Sequence, residues 1–192
     1  MVTRERLDRV RGSRWMVVAR WMCTFVGFPL GGLAAMLTVG RVDSPAAALA
    51  GGLITGVVLG TAQAVGLGRL LPKPAGWIAA TAGGLAVGLG IGATAVGFAT
   101  DLPSLMIEGA VSGLAVGAAQ ALVLRRHRPR FALPWPLYLA ACWALAWALI
   151  AVAGVQVDNQ FTVFGAIGAV SVTAATLVLP FALARPAVRS AS

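Results

Sequence analysis

Charged and metal-binding side chains are scarce in this chain of 192 residues. Only 11% of the residues are charged, Asp and Glu together number six, and there are one histidine and two cysteines. So few ligands argue against a zinc site, an acidic metal cluster and a disulfide framework. The sequence also lacks a nucleophile elbow, a phosphate-binding loop and an HExxH motif. We therefore expect no enzymatic activity, no bound metal and no cofactor.

The chain is instead rich in apolar sequence. Hydrophobic residues make up 59% of it and the mean hydropathy is +0.87, which leaves too little polar surface to cover a water-soluble globule of this size. Six apolar stretches are each about long enough to cross a bilayer as a helix, whereas a membrane strand is shorter and alternates in polarity. They lie near residues 15–39, 46–71, 75–98, 102–124, 134–155 and 161–184.

These stretches predict an all-α integral membrane protein with six transmembrane helices. We expect a transmembrane domain over residues 15–185, preceded by a basic segment, 1–14, and followed by a tail, 186–192. High usage of Ala, Gly, Val and Arg is typical of bacterial proteins from genomes of high GC content. The expected location is therefore the bacterial cytoplasmic membrane.

Positive charge is distributed unevenly between the two sides of the predicted bundle. Of the 15 Lys and Arg residues, thirteen fall in the termini and the second and fourth loops, one falls in the odd-numbered loops, and Arg20 lies inside the first stretch. This asymmetry predicts that both termini are cytoplasmic. Because no nucleic-acid recognition module accompanies the basic residues, we expect anionic lipid as their partner. The predicted headgroup contacts are Arg4, Arg6, Arg9, Arg11, Arg14 and Arg20.

The second and fourth stretches resemble each other when one is shifted by 57 residues. Glycines and a glutamine then coincide, and the sixth stretch follows more weakly, with Thr176 in place of the glutamine. This pattern predicts three tandem helical-hairpin repeats, and a pseudo-threefold axis along the membrane normal is a hypothesis that follows from them. The glycines fall on one narrow helix face and are expected to pack helices closely. They are Gly52, Gly56, Gly60, Gly109, Gly113 and Gly117.

Three polar residues occupy related positions near the cytoplasmic ends of the even-numbered helices: Gln63, Gln120 and Thr176. One interpretation is an uncharged polar ring around a pathway. The other is hydrogen bonding between helices, which needs no solute and is common in membrane bundles. Both interpretations require the side chains to face the interior.

Each of the three short loops on the opposite side carries one aspartate: Asp43, Asp101 and Asp158. Ser44 stands directly before Pro45, and Asp101 stands shortly before Pro103, as expected at the start of a helix. We therefore favour helix capping over an external cation-binding ring.

Glu108 is the only acidic residue inside a predicted span, about one and a half turns from the outer end of the fourth helix. A carboxyl that faces the bundle can bind a cation or couple proton movement to transport. The alternative is that it reaches the outer interface or favours the helix N-terminus.

Two functional classes are consistent with these features. The first is a pathway for a small solute or ion through the bundle, based on the repeats and on Glu108. The second is a non-catalytic accessory or assembly subunit, acting as a homo-oligomer or with another membrane protein, based on the glycine faces.

Overall fold

The computed structural model describes residues 14–71, 73–154 and 165–184. Within these ranges the regular structure is helical, with no strand, and six helices are long and apolar enough to cross a membrane. They are α1 (Arg14–Val39), α2 (Pro45–Leu70), α3 (Pro74–Ala95), α4 (Leu102–Leu124), α5 (Trp135–Val152) and α6 (Ala166–Ala184). The predicted all-helical architecture with six apolar helices is confirmed. A short helix, Pro129–Ala132, lies in the connection between α4 and α5.

Several predictions fall on residues outside the described ranges. They concern the N-terminal segment, the tail and five residues: Arg4, Arg6, Arg9, Arg11 and Asp158.

Two helix starts carry the expected caps. The Ser44 hydroxyl accepts a hydrogen bond from the Ala47 amide at 3.3 Å, and the Asp101 carboxylate accepts one from the Ser104 amide at 3.1 Å. These bonds satisfy amides that have no partner within the helix. The Ser104 amide, and then its hydroxyl at 2.8 Å, lower the pKa of the Asp101 carboxyl. The capping prediction is confirmed at Ser44 and Asp101.

Consecutive helices run antiparallel and pack against each other in chain order, and α6 also contacts α1. The Trp21 indole of α1 donates to the Thr173 carbonyl of α6 at 2.9 Å, and the rings of Phe28 and Trp143 link α1 to α5 with their centroids 5.8 Å apart. A small central space is therefore lined by side chains from all six helices. We call the end of the bundle that carries Arg14, Arg69 and Lys73 the basic side.

Glycines let the backbones of neighbouring helices come close. A Cβ atom on Gly56 would lie 2.6 Å from the Ala82 Cα of α3, and one on Gly113 would lie 2.6 Å from the Leu139 carbonyl oxygen of α5. The other glycines selected from the sequence meet the same two helices: Gly52 and Gly60 lie against α3, and Gly109 and Gly117 lie against α5. A further row that the sequence reasoning missed joins α3 to α4, through Gly84, Gly88 and Gly92.

The sixth helix is interrupted at Thr176, beside the central space. Pro180 has no N–H to donate to the Thr176 carbonyl, and the Leu179 amide donates to that carbonyl at 3.0 Å instead of to Ala175. The Tyr138 hydroxyl of α5 donates to the Ala175 carbonyl at 2.7 Å. A side chain of the neighbouring helix thus satisfies a carbonyl that the proline-interrupted helix leaves open.

Candidate functional site

Two glutamines at equivalent positions in α2 and α4 accept hydrogen bonds from tryptophans of the following helices. The Trp77 indole donates to Gln63 Oε1 at 3.0 Å, and the Trp135 indole donates to Gln120 Oε1 at 2.9 Å. The two indoles lie three residues into α3 and at the first residue of α5. Each indole therefore meets its glutamine near the basic side.

The Gln120 amide connects these two pairs. Its Nε2 donates to the Thr81 hydroxyl at 2.9 Å and lies 3.5 Å from Gln63 Oε1. Gln120 is only 1% exposed, so these bonds lie away from bulk water. Side chains of α2, α3, α4 and α5 are thus joined in one network, which we call the amide network: Gln63, Trp77, Thr81, Gln120 and Trp135.

Thr176 lines the same central space, but its hydroxyl does not join the amide network. It donates to the Val172 carbonyl of its own helix at 2.7 Å and lies 3.2 Å from the Thr173 carbonyl. The three residues that the sequence related therefore lie around one space, while the hydrogen bond between them involves only Gln63 and Gln120.

The central space is a cavity of about 10 Å³, which is about the room that one water molecule needs. Its walls are largely aromatic and aliphatic, with Gln63, Gln120, Thr173 and Thr176 as polar members. A solute larger than water passes this level only if the helices separate.

Glu108 lies inside the bundle. Its residue is 2% exposed, and the Ser112 hydroxyl one turn further along α4 donates to Glu108 Oε1 at 2.5 Å. Gly92 of α3 leaves room for it, since a Cβ there would lie 3.2 Å from the Glu108 Cα. The Trp147 indole of α5 also interacts with the carboxyl. The described structure therefore contradicts the alternative in which the side chain reaches the outer interface.

Glu108 and the amide network are separate sites. Twelve residues of α4 separate Glu108 from Gln120, which corresponds to about 18 Å along a helix. Among the described residues, no group of three or more His, Cys, Asp or Glu side chains is placed to hold a metal ion. Glu108 is thus a buried carboxyl away from the basic side, whereas Gln63 and Gln120 belong to the amide network near the basic side.

The exposed Arg20 side chain of α1 also forms a hydrogen bond with the neighbouring helix α2. Its Nη2 donates to the Val65 carbonyl of α2 at 2.9 Å, although the residue is exposed. Val65 lies in the last α-helical turn of α2, where carbonyls lack amide partners within the helix. The sequence analysis predicted a lipid-headgroup contact for Arg20 but not this contact with α2. Arg14, at the start of α1, is exposed.

No protein-family model matches the chain, and no curated protein or solved structure shows significant similarity to it.

Proposed function

We propose that this multi-pass membrane protein provides a pathway for a small solute or ion, with Glu108 as the residue that binds or couples it. The observation that carries the proposal is the burial of Glu108 between α3, α4 and α5. A carboxyl is costly in an apolar interior, and intramembrane acids commonly serve ion or proton pathways. The inward position of this side chain supports a role for it inside the bundle.

The amide network is proposed as the narrow part of this pathway. Four helices contribute to it, and the adjoining cavity has room for about one water. The interruption of α6 at Thr176 borders the same cavity, and interrupted helices are typical of transport sites. Passage then requires motion at this level, for which the interrupted helix is the proposed moving part.

The proposal also includes tandem hairpin repeats and an orientation in the membrane. Trp135 follows Trp77 by 58 residues, and each donates to one of the two glutamines 57 residues apart. This correspondence supports tandem hairpin repeats. The charge asymmetry supports a bacterial cytoplasmic membrane location with both termini in the cytoplasm.

Flux in proteoliposomes tests the pathway. Protons, monovalent cations and small neutral solutes are screened with the wild type, Glu108→Gln and the matched control Asp101→Asn, which makes the same chemical change at an exposed cap. We expect flux of one class of solute, lost in Glu108→Gln and kept in Asp101→Asn. No flux of any solute through folded wild-type protein contradicts the proposal.

A second candidate is a non-catalytic accessory or assembly subunit that works as a homo-oligomer or with another membrane protein. The observation in its favour is that the glutamine oxygens and the Gln120 amide already bind protein groups, as structural contacts do. Under this hypothesis the folded wild type moves no solute and purifies as an assembly larger than one chain, and Glu108→Gln leaves the size of that assembly unchanged. Gly113→Leu does not separate the two hypotheses, because Gly113 packs against α5 of the same chain and its replacement disturbs the fold in both cases.

A further inference from the structure

A groove of about 520 Å³ lies on the basic side, between the start of α1 and the end of α2. Its walls include the apolar side chains of Met16, Val17 and Leu70 together with two arginines, Arg20 and Arg69. The volume is in the range of sites that hold small molecules. A groove with apolar walls and cationic groups near helix ends suits a ligand that has an anionic head and an apolar tail.

The position of Arg20 in this groove is fixed by the end of α2. Its Nη2 donates to the Val65 carbonyl, and Gly68, with φ of +50°, leaves the space that the guanidinium occupies. A Cβ on Gly68 would collide with Nη2. The other guanidinium N–H groups have no hydrogen-bond acceptor within residues 14–71, 73–154 and 165–184. Arg20 is therefore held in place while it keeps donors for an anion.

We propose that the groove binds one anionic phospholipid of the leaflet on the basic side. Its phosphate lies between Arg20 and Arg69, and an acyl chain lies along Met16, Val17 and Leu70. Two properties favour this occupant. The first is charge, because basic pockets between transmembrane helices bind anionic headgroups. The second is the level of the two arginines along the membrane normal, since they lie beside the end of the α2 span. The site is distinct from Glu108 and is independent of the proposed pathway.

Native mass spectrometry of the full chain in detergent tests the site. Phosphatidylglycerol and phosphatidylcholine of equal chain length are added in competition, to wild type, Arg20→Gln, Arg69→Gln and the control Arg126→Gln, which lies on the basic side outside the groove. We expect the wild type to retain one phosphatidylglycerol. Each groove variant should lower its retention about fivefold, while the control leaves it unchanged.

Two further arms keep the result interpretable. Arg20→Gln also removes the bond to Val65, so circular dichroism checks its helix content. Arg69→Gln tests the charge at an exposed residue whose side chain makes no hydrogen bond within the described ranges. Inorganic phosphate at millimolar concentration should leave the lipid bound. Displacement by phosphate, equal retention of the two lipids, or an equal loss in Arg126→Gln would each overturn the proposal.

Discussion

Replacing Gln120 with leucine should destabilise the bundle by about 1–3 kcal/mol. The substitution keeps the approximate volume but removes the acceptor of the Trp135 indole and the donor to Thr81, each at 2.9 Å. Hydrogen bonds between membrane helices contribute about 0.6 kcal/mol on average and up to about 1.7 kcal/mol. Two such bonds give the stated range. Gln63→Leu should cost less, because Gln63 is only partly buried and has one bond at 3.0 Å and one at 3.5 Å.

The assay is reversible unfolding in mixed micelles of increasing dodecyl sulfate content, followed by circular dichroism. A double-mutant cycle of Gln120→Leu with Trp135→Phe isolates one bond, and we expect a coupling free energy of about 0.6–1.7 kcal/mol. If Gln120→Leu unfolds at the same point as the wild type and the cycle shows no coupling, the amide network does not stabilise the bundle and this prediction is wrong.

Three further predictions use the same unfolding assay. Gly113→Ala should destabilise the fold by about 1–3 kcal/mol, because the new Cβ would lie 2.6 Å from the Leu139 carbonyl oxygen. In the control Gly83→Ala the new Cβ meets no atom within 4 Å, so this variant should be stabilised by up to about 1 kcal/mol through its higher helix propensity. Equal effects of the two substitutions would contradict the close backbone contact at Gly113. Ser44→Ala should cost about 1 kcal/mol through loss of the α2 cap, and an unchanged midpoint would show that the cap contributes nothing. The lowered pKa of Asp101 means that its capping bond stabilises the fold above the ordinary aspartate pKa and loses this effect as the pH falls through the lowered value. Asp101→Ala should therefore differ from the wild type at neutral pH and match it in strong acid, and a gap that widens in acid would contradict this sign.

Helix positions and caps were predictable because both are local in sequence. An apolar run of about twenty residues specifies a span without reference to its neighbours, and Ser44 and Asp101 cap the helices that they directly precede. Gln63 and Gln120 were related in the sequence by a spacing of 57 residues, and the structure brings their side chains within 3.5 Å of each other.

The partners of these residues were not predictable in the same way. The indoles that bond to the glutamines and the contact of Trp21 with Thr173 depend on how helices face each other. One signal was present, since Trp77 and Trp135 are 58 residues apart and follow the two glutamines. Whether Glu108 faces inward or reaches the interface is decided by Gly92 and Trp147 on other helices, so its position in α4 left both interpretations open.

In the proposed pathway through the bundle, the Glu108 carboxyl is the functional group. The most direct measurement is flux after treatment with a hydrophobic carbodiimide, which modifies membrane-embedded carboxyls, with the modified residue identified by peptide mass spectrometry. We predict that flux falls in proportion to the modified fraction of Glu108. The modified fraction of the exposed Asp101 should not correlate with the loss of flux. Full modification of Glu108 with undiminished flux would contradict the claim.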